Sequence, residues 1–344
     1  MERFKKLLVY TGTEEPEGAI ARAIVLAMEN GASLTLMDVI KPVPRILRMF
    51  KGVASPDELQ RLLIEDHRAK LQEQVSEFYD SSVPIDIVVT VGDPAMEVIR
   101  EVLRNDHDLV IKAADGFRGA GRVVGSVARA LLRMCPCAML LLKPQVHGDF
   151  DQVLAAIDVD RQDTPHKKLN EAIAELSLEI ARSDEATLHW LSAWEMPLEV
   201  PFELPMESPF HQSFGEDQFE DVFSIHAENI RTHLGELHRA TGMTEVSPEF
   251  HVRRGPAADV ISDMVEEVQA DLLVMGTVCR TGIAGFLIGN TAESVLADVS
   301  CSVLALKPPG FVCPVAGETL ESKVVSRAKD SRRGGSARRY QREA

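Results

Sequence analysis

Three short stretches of this chain carry residue types that could do chemistry together. One is Met275-Gly276-Thr277-Val278-Cys279-Arg280-Thr281-Gly282, which leads to Leu287-Ile288-Gly289-Asn290-Thr291-Ala292-Glu293. A glycine at a strand end lets the main chain approach a ligand with no Cβ in the way. Gly289, Asn290 and Thr291 stand where a helix is expected to begin, so free N–H groups and the positive end of the helix dipole can hold phosphate there. The third stretch is Val153-Leu154-Ala155-Ala156-Ile157, an apolar strand closed by Asp158. In an open parallel sheet, ligands bind outside the carboxyl ends of strands where the strand order reverses. If the Asp158 and Gly276 strands are neighbours, Asp158, Gly276, Thr277, Cys279, Gly289, Asn290 and Thr291 share one crevice. Asp158 and Asp160 could also give carboxylate oxygens to a magnesium ion bound with a phosphate-bearing ligand. The alternative for that pair is a strand terminus with one solvated carboxylate and one helix cap.

The elements that must position these residues occur twice. Val91-Gly92-Asp93-Pro94-Ala95, Asp108-Leu109-Val110-Ile111, Gly125-Ser126 and Leu141-Leu142-Lys143-Pro144 return as Arg254-Gly255-Pro256-Ala257, Asp271-Leu272-Leu273-Val274, Gly289-Asn290 and Leu304-Ala305-Leu306-Lys307-Pro308, about 164 residues later. Each copy has its own strands, glycine turns and helices, which marks a duplicated globular domain and not a short solenoid repeat. In the second copy the 153–157 strand precedes a helix with Leu169, Ile173, Leu176 and Ile180 at three- and four-residue spacing. A strand from Thr187 to Ala193, a helix from about Asp217 to Ala240 and a strand from Glu249 to Arg253 follow. After these come a helix from Ala257 to Val268, a strand from Leu272 to Met275, a helix from Thr291 to Val299 and a strand from Ser302 to Leu306. Strands apolar on both faces and separated by helices predict an α/β fold with a parallel sheet covered on both sides. The expected units are residues 1–146 and 150–310, joined across Pro144 to Phe150, with a tail over 311–344.

The whole pattern resembles the universal stress protein family, and two copies in one chain resemble its tandem, E-type members. The likeness rests on the strand ending in Asp158, the Gly-Asp/Pro-Pro-Ala turn, Asp271-Leu272-Leu273-Val274-Met275-Gly276-Thr277 and the Gly-Ser/Asn helix starts. It implies two tandem doubly wound five-stranded domains, pairing of the domains about a sheet edge and, in a subset of members, ATP binding through G-2x-G-9x-G-S/T. In the second copy the first glycine of that motif is Gly276, the second is Cys279, and nine residues lead to Gly289 and Asn290. A side chain at Cys279 narrows the turn and disfavours a positive φ. In the first copy Ala113 takes the first glycine's place, Gly116 the second's, and only eight residues separate Gly116 from Gly125 and Ser126. Thr11 or Gly12 replaces the strand-end acid. The expectation is that the first copy has lost the nucleotide and the second is the better candidate for an adenine nucleotide, with magnesium if bound.

Composition excludes several classes. The 344 residues are 45% hydrophobic and 26% charged, as in soluble globular proteins. No apolar run approaches the roughly 18 residues of a membrane span, and Phe4 to Tyr10 reads as a first strand and not a leader, so a cytoplasmic location is expected. Five cysteines, with Cys135-Pro136-Cys137 at a strand start, argue for reduced thiols. A net charge of −16 opposes nucleic-acid binding except through the tail, where residues 321–344 hold eight Lys or Arg against three Asp or Glu and read as disordered. The Pro-rich insertion from Trp194 to Phe214 and the Ile40 to Phe50 stretch carry apolar residues that must cover something: packing or an interface, or a lid. Lys112 replaces an apolar residue late in a buried strand and is expected at the solvent end, its stem packed and its ammonium in water; the alternative is contact with a phosphate. His226, His233 and His238 do not share one helix face and read as surface residues. No nucleophile elbow, zincin pair or P-loop lysine is present. The reading is a non-catalytic, cytoplasmic stress-response protein whose domains pair within the chain, with a homodimer and a small-molecule ligand as further partners. Its rivals are a slow ATPase, a carrier of an apolar ligand under the 194–214 insertion, and a scaffold.

Overall fold

The alternation of apolar runs and amphipathic stretches becomes, in a computed structural model of the chain, ten strands and eight helices among the described residues. The structure describes residues 4–13, 16–46, 55–77, 83–114, 125–143, 148–159, 164–195, 216–277 and 289–315. The first half runs β1 (Lys6–Tyr10), α1 (Glu17–Asn30), β2 (Ser33–Ile40), α2 (Pro56–Glu77), β3 (Ile85–Val91), α3 (Pro94–Asn105), β4 (Leu109–Ala113), α4 (Ser126–Met134) and β5 (Ala138–Leu142). The second runs β6 (Gln152–Ala156), α5 (Thr164–Ser183), β7 (Thr187–Trp194), α6 (Glu216–Thr241), β8 (Glu249–Arg254), α7 (Ala257–Glu267), β9 (Leu272–Gly276), α8 (Asn290–Asp298) and β10 (Ser302–Leu306). In the turn before α3, Asp93 accepts the Met96 amide at 3.0 Å and Pro94 supplies a preset φ at the first helical position, whereas before α7 Pro256 itself takes the cap position without a side-chain cap.

All strands join one sheet in the order β3-β2-β1-β4-β5-β10-β9-β6-β7-β8. Within each half every pairing is parallel, and the two halves meet where β5 and β10 pair antiparallel, with Leu140 opposite Leu304. The strand order reverses between β1 and β4 in the first half and between β6 and β9 in the second. Because β5 and β10 run oppositely, the carboxyl ends of the two halves lie at opposite ends of the sheet. A repeated aspartate anchors each central strand. Asp108 accepts the amides of Lys5 and Lys6 at 2.7 and 3.1 Å, and Asp271 accepts those of Asp151 and Gln152 at 2.7 and 3.1 Å.

Two apolar layers cover the sheet, and each runs through both halves. One gathers Ile20 and Ala23 of α1 with Ile173 and Leu176 of α5 and Ile230 and Leu234 of α6. The other gathers Val98 of α3, Leu131 of α4, Ile261 of α7 and Val295 of α8. Trp194, at the root of the Pro-rich insertion, is buried against Phe223 and His226 of α6, which supports packing for this residue; residues 196–215 and the 47–50 stretch lie outside the described residues. No helix among the described residues is long and apolar enough to cross a membrane. The basic tail also lies outside them.

Charged side chains clamp the halves across their junction. Arg22 of α1, buried, reaches Asp149 at 3.0 Å and Asp184 at 2.5 Å, and its guanidinium lies 4.8 Å from the centre of the Phe150 ring. The end of the join between the halves, Asp149 and Phe150, therefore carries an ion-pair partner and a core aromatic. At the other side Lys307, just past β10, donates to the carbonyls of Leu132 and Arg133 at the end of α4, where a cation also meets the negative helix terminus. Burial lowers the Lys307 ammonium from 10.5 to about 8, which Cys135, Cys137 and Cys313 only partly oppose.

Two outcomes follow from this junction. Replacing Arg22 with Ala leaves the Asp184 carboxylate buried without its cation, and equilibrium denaturation should show a loss of about 3–5 kcal/mol. For Lys307 the folded pKa lies below the unfolded one, so between about pH 8 and 10.5 the unfolded chain binds more protons and stability rises with pH. The urea midpoint of the native chain should therefore gain on that of Lys307→Met across this window, and parallel profiles would refute the assignment.

Candidate functional site

At the carboxyl ends of β6 and β9, where the order of the second half reverses, a cavity of about 110 Å³ opens between the two helix layers. Its lining includes Asp158, Asn170 and His166 on one side, Gly276 and Met275 on the floor, and Thr291 and Ala292 at the start of α8. Apolar walls come from Ile157, Leu169, Ile173, Leu191 and Ile261. Asp158, Gly276 and Thr291 are thus brought together. The main chain of Asp158 is held by Asn170, whose amide group donates to the Asp158 carbonyl at 2.6 Å and whose oxygen accepts the Asp158 N–H at 3.3 Å.

Other residues of the sequence reading sit differently. Thr277 is buried, and both its amide and its hydroxyl donate to the Leu306 carbonyl, at 3.0 and 3.2 Å, so it ties β9 to β10 and faces away from the cavity. Gly289 caps α8, but its N–H already donates to the Thr277 carbonyl at 3.3 Å. The first intrahelical bond of α8 is Glu293 N–H to Gly289 O, so the amides of Asn290, Thr291 and Ala292 have no acceptor within the helix. Cys279 lies outside the described residues, as does the side chain of Asn290. Gly276 does line the cavity, yet the space a Cβ would take is held by Leu169, whose Cδ2 lies 2.6 Å from that position. Its missing side chain admits α5 and not, in this conformation, a ligand.

The first half carries different residues at the equivalent place. The bonds Thr11 N–H to Met37 O and Ile157 N–H to Leu191 O superimpose the halves residue by residue, so Gly12 stands for Asp158 and Tyr10 for Ala156. On β4, Lys112 stands for Met275 and Ala113 for Gly276, since Lys112 is opposite Tyr10 in the sheet. A Cβ at Gly12 would lie 2.3 Å from the Tyr10 hydroxyl, which shows how closely the phenol covers the strand end. Lys112 overturns the expectation of a solvent-end ammonium. It is 1% exposed, and its Nζ donates to the Ala113 carbonyl at 2.8 Å, within a strand whose five residues are all buried. Gly125 and Ser126 start α4 as expected, while Gly116 lies outside the described residues.

These paired halves and their crevices invite comparison with known proteins. The model of the universal stress protein family matches residues 3–143 and, separately, 149–307. The chain belongs to the universal stress protein family. It is similar to universal stress protein E of Escherichia coli K12, with 28% identity over 315 residues that cover 90% of this chain and 95% of the relative. The counterpart from Photorhabdus laumondii is 26% identical over 326 residues, 92% of this chain and 98% of that one. Among solved structures, a putative universal stress protein from Pseudomonas aeruginosa UCBPP-PA14 matches with a TM-score of 0.69 and 25% identity, covering 92% of this chain and 98% of that one. A universal stress protein from Archaeoglobus fulgidus, at 16% identity and a TM-score of 0.57, shares the fold.

Two residues that line the cavity were not picked out from the sequence. His166 and Asn170 lie one helical turn apart on the face of α5 that meets the Asp158 strand end, a signal the apolar periodicity of α5 already contained. Of the three helical histidines, His233 is exposed, but His238 is half-buried, 5.7 Å edge-on from Trp190, and bonded to the carbonyls of Met243 and Val246 at 3.2 and 2.9 Å. It is a packing residue and not a surface one. Cys135 and Cys137 are free thiols 3.5 Å apart. The bond from Cys137 lowers the Cys135 thiol, and the same bond together with burial pushes Cys137 up.

The Gly276 and Leu169 contact gives a direct check on packing. Gly276→Ala should cost about 1–3 kcal/mol by overpacking. Combining it with Leu169→Ala should cost less than the sum of the single changes by at least about 0.5 kcal/mol, and strict additivity in denaturant titrations would show that the two sites do not touch.

Proposed function

We propose that this chain is a non-catalytic, cytoplasmic stress-response protein that binds one adenine nucleotide, and does so in its second half. The observation that carries the reading is the inequality of two equivalent places in one sheet. In the second half Asp158, Gly276 and the first turn of α8 border a cavity at the strand-order reversal; in the first, Tyr10 and Lys112 take the positions of Ala156 and Met275. The site chemistry suits such a ligand in parts. The first-turn amides of α8 and the positive end of its dipole would receive a phosphate group. Asp158 can accept hydrogen bonds from ribose hydroxyls or an exocyclic amine, and the walls of Ile157, Ile173, Leu191 and Ile261 give an apolar slot for a purine. A magnesium ion, if it accompanies the phosphates, would find the Asp158 carboxylate as a hard oxygen ligand. Leu169 must swing from its place over Gly276 for the base or sugar to seat fully, so binding and a shift of the α5 side chain are coupled.

The same lining favours binding over turnover. Among the described residues that border the cavity, the titratable groups are Asp158 and His166, and no lysine or arginine stands among them to offset charge developing on a transferred phosphoryl group. A ligand held this way can act by ordering its surroundings and altering contacts with a partner.

Calorimetric titration of the purified full chain with ATP and with AMP tests the reading. One site per chain is expected, weakened roughly tenfold or more in Asp158→Ala, since a hydrogen bond to a charged group is worth about 1.5–3 kcal/mol. Ser126→Ala in the first half should leave affinity unchanged. Two sites, no heat of binding, or an unaltered Asp158→Ala titration would overturn it, and phosphate release that tracks ATP binding would move the protein to the slow ATPase class.

A further inference from the structure

We infer that the outer edge of the second half carries a transition-metal site formed by His189, Glu249 and His251, suited to a divalent ion of the zinc class. The residues come from adjacent strands. In the β7 and β8 register His189 is opposite Glu249, and His251 follows two residues on, so all three side chains emerge on one face of the sheet. His189 Nδ1 lies 3.1 Å from His251 Nε2 and 3.5 Å from Glu249 Oε2, and one ligand atom from each residue falls within 4.8 Å of the others. Ligands of a tetrahedral ion bound at about 2.0–2.1 Å stand about 3.3 Å apart. Two edges of that tetrahedron are therefore already close to length, and the exposed Glu249 can close the third by a rotation of its side chain.

The surroundings set the tautomer that ligation needs. His189 Nε2 lies 3.1 Å from Gln152 Oε1, and donation of its proton there leaves the Nδ1 lone pair facing His251 and Glu249. Gln152 is thus a positioning residue. Arg253, the nearby cation on the same strand, is held by Glu267 at 2.9 Å, so its charge is offset beside the site. Two imidazoles with one carboxylate select zinc, cobalt, nickel or copper over calcium or magnesium, whose ligands are oxygens. His189 is buried while Glu249 is exposed on β8, the last strand of the sheet, so one side of the ion would face solvent and keep a position open for water or an outside ligand. A bound ion would also staple the edge strand to its neighbour.

Cobalt titration of the chelator-treated, nucleotide-free full chain decides the matter. The expected result is saturation at one ion per chain with visible d–d bands and without the near-ultraviolet thiolate-to-cobalt band that Cys135 or Cys137 would give. His251→Ala should abolish this site, Glu249→Gln, a change at an exposed position, should weaken it, and Gln152→Leu should lower affinity roughly 10–100-fold. His233→Ala, on the exposed face of α6, should change nothing. Absence of a one-to-one complex, a thiolate band, or equal affinity in His251→Ala and Glu249→Gln would each refute the site. None of these readouts depends on the nucleotide crevice.

Discussion

The antiparallel pairing of β5 with β10 is the constraint from which the rest of this structure follows. It turns two five-stranded sheets into one, so that the apolar layers on both faces continue across the junction. Once the strands are joined, the helices that flank them must also meet, and the buried Arg22 with Asp184 and the Lys307 contact with the end of α4 are found there. Buried ions of this kind stabilise little beyond what apolar residues would, but they penalise any other register, because a slipped junction would strand a desolvated charge. The pairing also sends the two carboxyl edges to opposite ends of the molecule, which separates their crevices and removes any need for them to stay alike.

That freedom is visible in three substitutions at equivalent places. Where the second half has Ala156, Asp158 and Met275, the first has Tyr10, Gly12 and Lys112. In the second half a small residue beside a flexible one borders the cavity at the sheet end; in the first, a tyrosine stands beside a fully buried lysine. The acid is absent from the half that carries the tyrosine and the lysine. The first half still completes the ten-stranded sheet and both of its apolar layers.

Much of this was legible in the sequence, because repeats, strand-length apolar runs and helix starts are local signals. The acid at Asp158, the glycine at Gly276 and the start of α8 could be assigned to one crevice from their places at element ends. What could not be read was direction and depth. Thr277 and Gly276 are neighbours, yet the hydroxyl of one is taken by Leu306 and the Cβ space of the other by Leu169, partners 29 and 107 positions away in the chain. Lys112 looked like a strand terminus because its charge interrupts an apolar run, whereas the strand runs on to Ala113 and both residues are buried. The His189, Glu249 and His251 group depends on the register of two strands about 60 residues apart, and the histidines that drew notice instead were those that share a helix.

The central claim is that a single crevice, in the second half, takes the nucleotide. Hydrogen exchange read by mass spectrometry, on the full chain with and without saturating ATP, addresses it most directly. The account predicts added protection confined to peptides spanning the end of β6, the start of α5 and the first turn of α8. Protection in the peptides around Tyr10, Lys112 and Ser126, alone or to an equal degree, would contradict it.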